Sequence, residues 1–128
     1  MYRMLLKMLV LLTITGSAAS ALAGEQPYDQ TKFEQAQAQH QSIVVWFHAN
    51  WCPTCRAQQP IVERLSQSPE MKNVTVFVAD FDKEKALERS LRVVQQSTFV
   101  VFRKGREVTR STGETNQQAI RSTWEKAL

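Results

Sequence analysis

Trp51-Cys52-Pro53-Thr54-Cys55 holds the only two cysteines of the chain, three residues apart, directly behind the apolar run Ile43-Val44-Val45-Trp46-Phe47. A helix beginning at Cys52 would put Pro53 at its first position, where a missing N–H costs nothing, and carry Cys55 one turn on along the same face. Cys52 then stands at the positive end of the helix, where thiolate is favoured. Such settings lower a thiol pKa from about 8.5 into a range of roughly 3.5 to 7.5. The pattern reads as a reactive thiolate, Cys52, expected to be exposed, and a resolving thiol, Cys55, turned back under the first turn. That is an arrangement for reversible dithiol chemistry.

Other uses of a Cys-x-x-Cys pair fit less well. A structural zinc needs two more Cys or His ligands with their own short spacing. No further cysteine exists, and His40 and His48 are eight residues apart. A structural disulfide closing so small a loop would remove little chain entropy.

The first residues read as an address. Arg3 and Lys7 form a positive start, residues 8–14 are apolar, and Ala21-Leu22-Ala23 has the small-x-small form of a signal-peptidase site. Cleavage is expected after Ala23, giving a signal peptide over 1–23 and one domain over 24–128 in the periplasm or another exported space. The alternative is an uncleaved inner-membrane anchor with the domain facing the periplasm. The apolar core is far shorter than the roughly 20 residues a spanning helix needs, which disfavours it.

Removing residues 1–23 takes away Arg3 and Lys7 and no acidic residue, so the net charge falls from +4 to +2. The remaining 105 residues suffice for one compact domain. The charge gives no reason to expect nucleic-acid binding. The densest basic cluster, Arg103, Lys104, Arg106 and Arg110, flanks a Lys104-Gly105 turn and reads as a solvated hairpin tip.

Along the mature chain, helix and strand signals alternate. Residues 29–39 are polar and helix-prone with Phe33 and Ala36 on one side, and residues 42–48 form a β-rich apolar run. Residues 53–66 read as a helix interrupted and kinked by Pro60. Residues 74–79 form a second buried strand ending at Asp80 and Asp82. Residues 83–93 read as a helix with Ala86, Leu87 and Leu91 inward and Glu84, Lys85, Glu88 and Arg89 outward. Residues 98–102 and 107–111 pair as a hairpin, and Thr115 with Gln118 suggests a capping box for a final helix. The expected fold is α/β, a mixed sheet of about four strands flanked by helices in the order αβαβαββα.

Phe47-His48-Ala49-Asn50-Trp51-Cys52-Pro53-Thr54-Cys55 resembles the aromatic-x-Ala-x-Trp-Cys-x-x-Cys element of the thioredoxin family. Pro60, eight residues after Cys52, matches the family's helix proline, and Gly105 and Gly113 match its hairpin glycines. The resemblance spans the mature chain and implies a thioredoxin fold and thiol-disulfide oxidoreductase activity. The string from Trp51 to Ala57 is also similar to exported thioredoxins that reduce apocytochrome c. Those proteins usually carry extra structure after the active-site helix, and here only residues 66–73 lie there. A general periplasmic reductant is therefore favoured over a dedicated cytochrome-maturation role.

Three departures from the family pattern stand out. Trp46 occupies the place of the family's buried aspartate, and Val78 that of its frequent partner lysine. Cys55 is thus expected to use water, His48 or Asp80 as proton acceptor. Ser97 stands where the family usually has a cis-proline facing the active site. A non-proline cis bond costs roughly 2.5 to 4 kcal/mol, so Gln96-Ser97 is expected to be trans, with an open edge beside Cys52. A proline returned to position 97 is expected to be tolerated by the fold.

The resemblance implies Cys52 and Cys55 as the catalytic pair, with Trp51, Pro53, Thr54 and His48 as their surroundings and Gln96, Ser97 and Thr98 as the substrate-docking segment. No cofactor is implied, and no resident metal. Partners would be protein disulfides and a membrane dithiol electron donor, and the protein is expected to be a monomer. Pro53-Thr54 lacks the histidine found in strong oxidases, which argues for a reductant. The alternative is a module that holds a soft metal or an iron-sulfur cluster on the same two cysteines, without the usual proline shield.

Overall fold

The computed structural model describes residues 24–128; the expected signal peptide and its cleavage site after Ala23 lie outside the described residues. Five strands form one mixed sheet in the order β1-β3-β2-β4-β5. They are β1 (Gly24–Pro27), β2 (Ser42–His48), β3 (Val74–Asp80), β4 (Thr98–Arg103) and β5 (Arg106–Thr112). The helices are α1 (Gln30–Ala38), α2 (Pro53–Gln67), α3 (Lys85–Leu91) and α4 (Gln117–Glu125), with a short 3-10 turn at Pro69–Met71. β2 runs parallel to β3 and antiparallel to β4, which makes it the central strand. The fifth strand, β1, pairs in parallel with β3 from Gly24↔Thr75 to Pro27↔Val78. At four residues it is too short to show a period-2 pattern in the sequence.

β2 is buried from Ile43 to Phe47, as a strand covered on both faces must be. Its alternate residues feed two cores. Val44 and Trp46 pack with Val62 and Leu65 of α2, Phe99 of β4, and Ile120 and Trp124 of α4. Ile43, Val45 and Phe47 pack with Phe33 and Ala36 of α1 and Leu87 of α3. α1 starts where Asp29 accepts a hydrogen bond from Lys32 N at 2.9 Å. α2 continues through Pro60 as one helix. The Lys104-Gly105 turn has φ of 53° and 77°, the paired positive values that let a two-residue hairpin loop follow the strand twist.

Two helix expectations are corrected. α3 begins at Lys85, because Lys83 and Glu84 N–H groups both turn back to Asp80 O. That start rotates the helix so that Ala86 is exposed and Glu88 is buried. Lys85 Nζ lies 3.2 Å from Glu88 Oε2 and offsets part of the cost of covering a carboxylate. At α4 the cap is Asn116, which accepts from Ala119 N at 3.0 Å, so Thr115 lies one residue outside the helix. Asn ranks above Thr as a cap, and this choice sets the register. Within the basic cluster, Arg110 pairs with Glu107 and donates to Leu91 O at 2.8 Å, tying β5 to the end of α3.

Candidate active site

β2 delivers the two cysteines. The chain leaves the strand at His48, turns where Cys52 N donates to Ala49 O at 3.1 Å, and enters α2 with Pro53 at its first position. Cys52 is the N-cap: its extended backbone points the sulfur back over the first turn, and Sγ accepts from Cys55 N at 3.2 Å. An N–H that would otherwise be orphaned at the helix start is aimed at Cys52. Cys52 is nonetheless only 1% exposed, contrary to the expectation of an open thiol, and Cys55 is fully buried.

The cover over both sulfurs is Ser97. Its Oγ lies 3.1 Å from Cys52 Sγ and 3.1 Å from Cys55 Sγ. No cis peptide occurs among the described residues, so Gln96-Ser97 is trans as expected, but Ser97 reaches its place with φ of +61°. This left-handed conformation is uncommon for a residue with a side chain. The expected open edge beside Cys52 is therefore filled by a hydroxyl. The trans backbone seen here is not one that proline could take. Proline fixes φ near −65° and has no N–H, whereas Ser97 N donates to Phe47 O at 2.8 Å.

Gln58, which nothing in the sequence marked out, holds this segment in place. It is fully buried on α2. Its Nε2 donates to Ser97 O at 3.2 Å and Glu114 O at 2.8 Å, while its Oε1 accepts from the Trp46 indole N–H at 2.8 Å. Trp46, in the place of the family's buried aspartate, thus makes a neutral hydrogen bond and stacks on Phe99 with centroids 6.1 Å apart. The only sequence signal for Gln58 is a polar residue on the inward face of α2, legible only once Trp46 is known to need an acceptor.

Burial pushes the Cys52 thiol up, but hydrogen bonds from Cys55, Ser97 and Gln96 outweigh it and bring its pKa below the usual thiol value. Cys55 moves the other way: burial raises it, and its hydrogen bond to Cys52 raises it further, against opposing hydrogen bonds from Ser97 and the Ala49 backbone. The opposite directions of the two shifts favour Cys52 over Cys55 as the thiolate. Cys55 Sγ finds its side-chain oxygen partner in Ser97, and among the described residues neither His48 nor Asp80 hydrogen-bonds to it. His48 packs edge-on against Trp46 with centroids 4.7 Å apart, and burial lowers its pKa despite the opposing charge of Asp80.

The remaining expected residues divide by exposure. Trp51 is 54% exposed and is steadied by its indole N–H donating to Asp82 Oδ2 at 2.8 Å. Pro53 is exposed, and Thr54 and Gln96 are half-buried. Thr98 is buried, its hydroxyl donating to Gln95 O at 2.9 Å and lying 2.9 Å from Thr112 Oγ1, so its side chain serves the β4–β5 pair. No group of three or more His, Cys, Asp or Glu side chains comes together among the described residues. A soft ion at this site would meet two sulfurs and one hydroxyl.

The family model described as Thioredoxin matches residues 25–126. A thioredoxin-5 of Dictyostelium discoideum is 30% identical over 104 residues, covering 81% of this chain and 98% of that protein. The crystal structure of Trxlp from Edwardsiella tarda superposes with a TM-score of 0.74 at 39% identity, covering 77% of this chain and 95% of the other. The thioredoxin of Malassezia sympodialis, at 21% identity, shares the fold with a TM-score of 0.72, over 83% of this chain and 95% of its own.

Proposed function

The chain belongs to the thioredoxin family of thiol-disulfide oxidoreductases, and from that premise we propose that it is an exported reductase of protein disulfides. The observation that carries this reading is the geometry of the pair: Cys52 caps the start of α2 and accepts from Cys55 N at 3.2 Å, with Cys55 buried one turn behind it. Cys52 thiolate attacks a substrate disulfide, forming a Cys52–substrate bond and expelling the other substrate sulfur as a thiolate. Cys55 then loses its proton and attacks Cys52 Sγ. The Cys52–Cys55 disulfide forms, the second substrate sulfur leaves, and two electrons have passed from protein to substrate.

Export is supported by the sequence over 1–23. Cleavage after Ala23 would keep the Gly24–Pro27 pairing of β1 with β3. The mature protein is then a periplasmic monomer, reduced in turn by a membrane dithiol donor, with the inner-membrane anchored form as the alternative. Clients are protein disulfides, apocytochrome c among them, docked beside Trp51 and Gln96. Pro53 and Thr54 place no charge between the cysteines, which supports reduction over oxidation.

Trapping tests the reading. Cys55→Ala should accumulate mixed disulfides with clients in the exported compartment, and Cys52→Ala should accumulate none. Mass spectrometry of the same material should find Gly24 as the N-terminus. Equal trapping by both variants, or metal bound to protected thiols in the purified protein, would overturn the reductase reading; intact Met1 in a membrane fraction would overturn the soluble exported form.

A further inference from the structure

Ser97 is held from three sides: its N–H donates to Phe47 O at 2.8 Å, and its carbonyl accepts from Gly113 N at 3.0 Å and Gln58 Nε2 at 3.2 Å. These bonds pin a left-handed residue on the end of β2, the end of β5 and the middle of α2. Its hydroxyl is thereby left at 3.1 Å from each of two sulfurs. A serine hydroxyl owns one proton, so it can donate to only one of the two sulfurs at a time. The two choices are unequal. Cys52 Sγ already receives Cys55 N–H, so a Ser97 proton aimed at Cys52 joins a second donor on the same sulfur. The Cys55 thiol also hydrogen-bonds to Cys52, so with the Ser97 proton on Cys52 three donors converge on one sulfur. A Ser97 proton aimed at Cys55 would instead join the Ala49 backbone donor there and favour the other thiolate.

We propose that Ser97 is a positioning residue that favours Cys52 as the nucleophile, its hydroxyl donating to the Cys52 thiolate. In a chain with Trp46 where a carboxylate would sit, this hydrogen bond orders the dithiol without a buried carboxylate. The inference rests on the Cys52/Cys55 pair being the redox centre. The titratable group facing Cys52 is Cys55, across the first turn of α2. Nearby charges are otherwise engaged: Asp82 and Arg56 with Trp51, and Asp80 with Lys83 and Asp82 N–H, while His48 packs on Trp46.

The test is the pH profile of alkylation by iodoacetamide for the reduced full domain, with the labelled cysteine located by mass spectrometry. Ser97→Ala and Ser97→Gly both remove the hydroxyl, and glycine takes a φ of +61° without strain. The midpoint for Cys52 should rise by about one pH unit in both, which is about tenfold less thiolate below the midpoints. Preference for Cys52 over Cys55 should fall about tenfold with it. An unchanged midpoint or unchanged preference in the folded glycine variant would overturn the proposal. So would a shift seen with alanine and absent with glycine, which would assign the effect to the backbone. A wild-type protein that alkylates at Cys52 and yet reduces no protein disulfide would sink the functional reading and leave this measurement standing.

Discussion

Gln58→Met is the perturbation that best separates the site's scaffold from its chemistry. Methionine keeps the length and nearly the volume of glutamine but supplies no amide, so the three hydrogen bonds of Gln58 vanish without a large cavity. Ser97 O keeps its bond from Gly113 N, while the Trp46 indole N–H loses its acceptor in a fully buried position. An orphaned buried donor costs about 1–3 kcal/mol, and the lost bond to Glu114 O adds about 0.5–1.5, so we expect roughly 2–4 kcal/mol of destabilisation. A domain of this size has a total stability of about 5–15 kcal/mol and should remain folded at room temperature. At about 4 °C per kcal/mol for roughly 100 residues, the melting temperature should fall by about 8–16 °C, read by circular dichroism or calorimetry. The loosened Ser97 should also let the Cys52 alkylation midpoint drift upward. A fall in melting temperature below about 2 °C, equivalent to roughly 0.5 kcal/mol, would refute the view that Gln58 holds the segment before β4 to Trp46 and α2.

Ser97→Pro should cost roughly 2–4 kcal/mol, because proline cannot hold φ at +61° and leaves Phe47 O without its Ser97 donor; urea unfolding reads this directly, and a midpoint equal to wild type would show that the segment rearranges freely. His48 tests the pH dependence. Its folded pKa lies below its ordinary value, chiefly through burial, so the unfolded chain binds the proton more readily and the contribution of neutral His48, present above about pH 6.5, is lost as pH falls through that value. His48→Phe should therefore lose less stability than wild type between about pH 7.5 and pH 5.5, and equal losses would count against a buried neutral imidazole.

Much of the fold was legible because its signals are local and repeated. β2 announces itself by five consecutive apolar residues, α2 by Cys52-Pro53, and the hairpin by Lys104-Gly105, whose two positive φ values only a tight primed turn requires. β1 was not legible, since four residues carry no period and its pairing with β3 is fixed by tertiary contact. On α3, Leu87 and Leu91 pack inward as expected, but Ala86 and Glu88 were misplaced for a related reason. The turn at Asp80 delays the helix start to Lys85, and a short helix gives too few residues to settle its own phase. At the site, the place of Cys52 at the start of α2 with Cys55 one turn on followed from spacing and helix polarity. The cover did not: Ser97 could be seen to replace a proline, but its left-handed backbone depends on Phe47, Gly113 and Gln58, three residues scattered along the chain. Because of that cover Cys52 is buried where an open thiol was expected.

The central claim is that Cys52 and Cys55 form a reducing dithiol, and its most direct test is the equilibrium reduction potential of the pair against glutathione. A Cys52 thiolate favoured by neutral hydrogen bonds alone, with Cys55 keeping its proton, predicts a value near that of thioredoxin, about −270 mV. A value near that of the strong periplasmic oxidants, about −120 mV, would contradict the account, because it would mean that the reduced form is stabilised far beyond what these contacts supply.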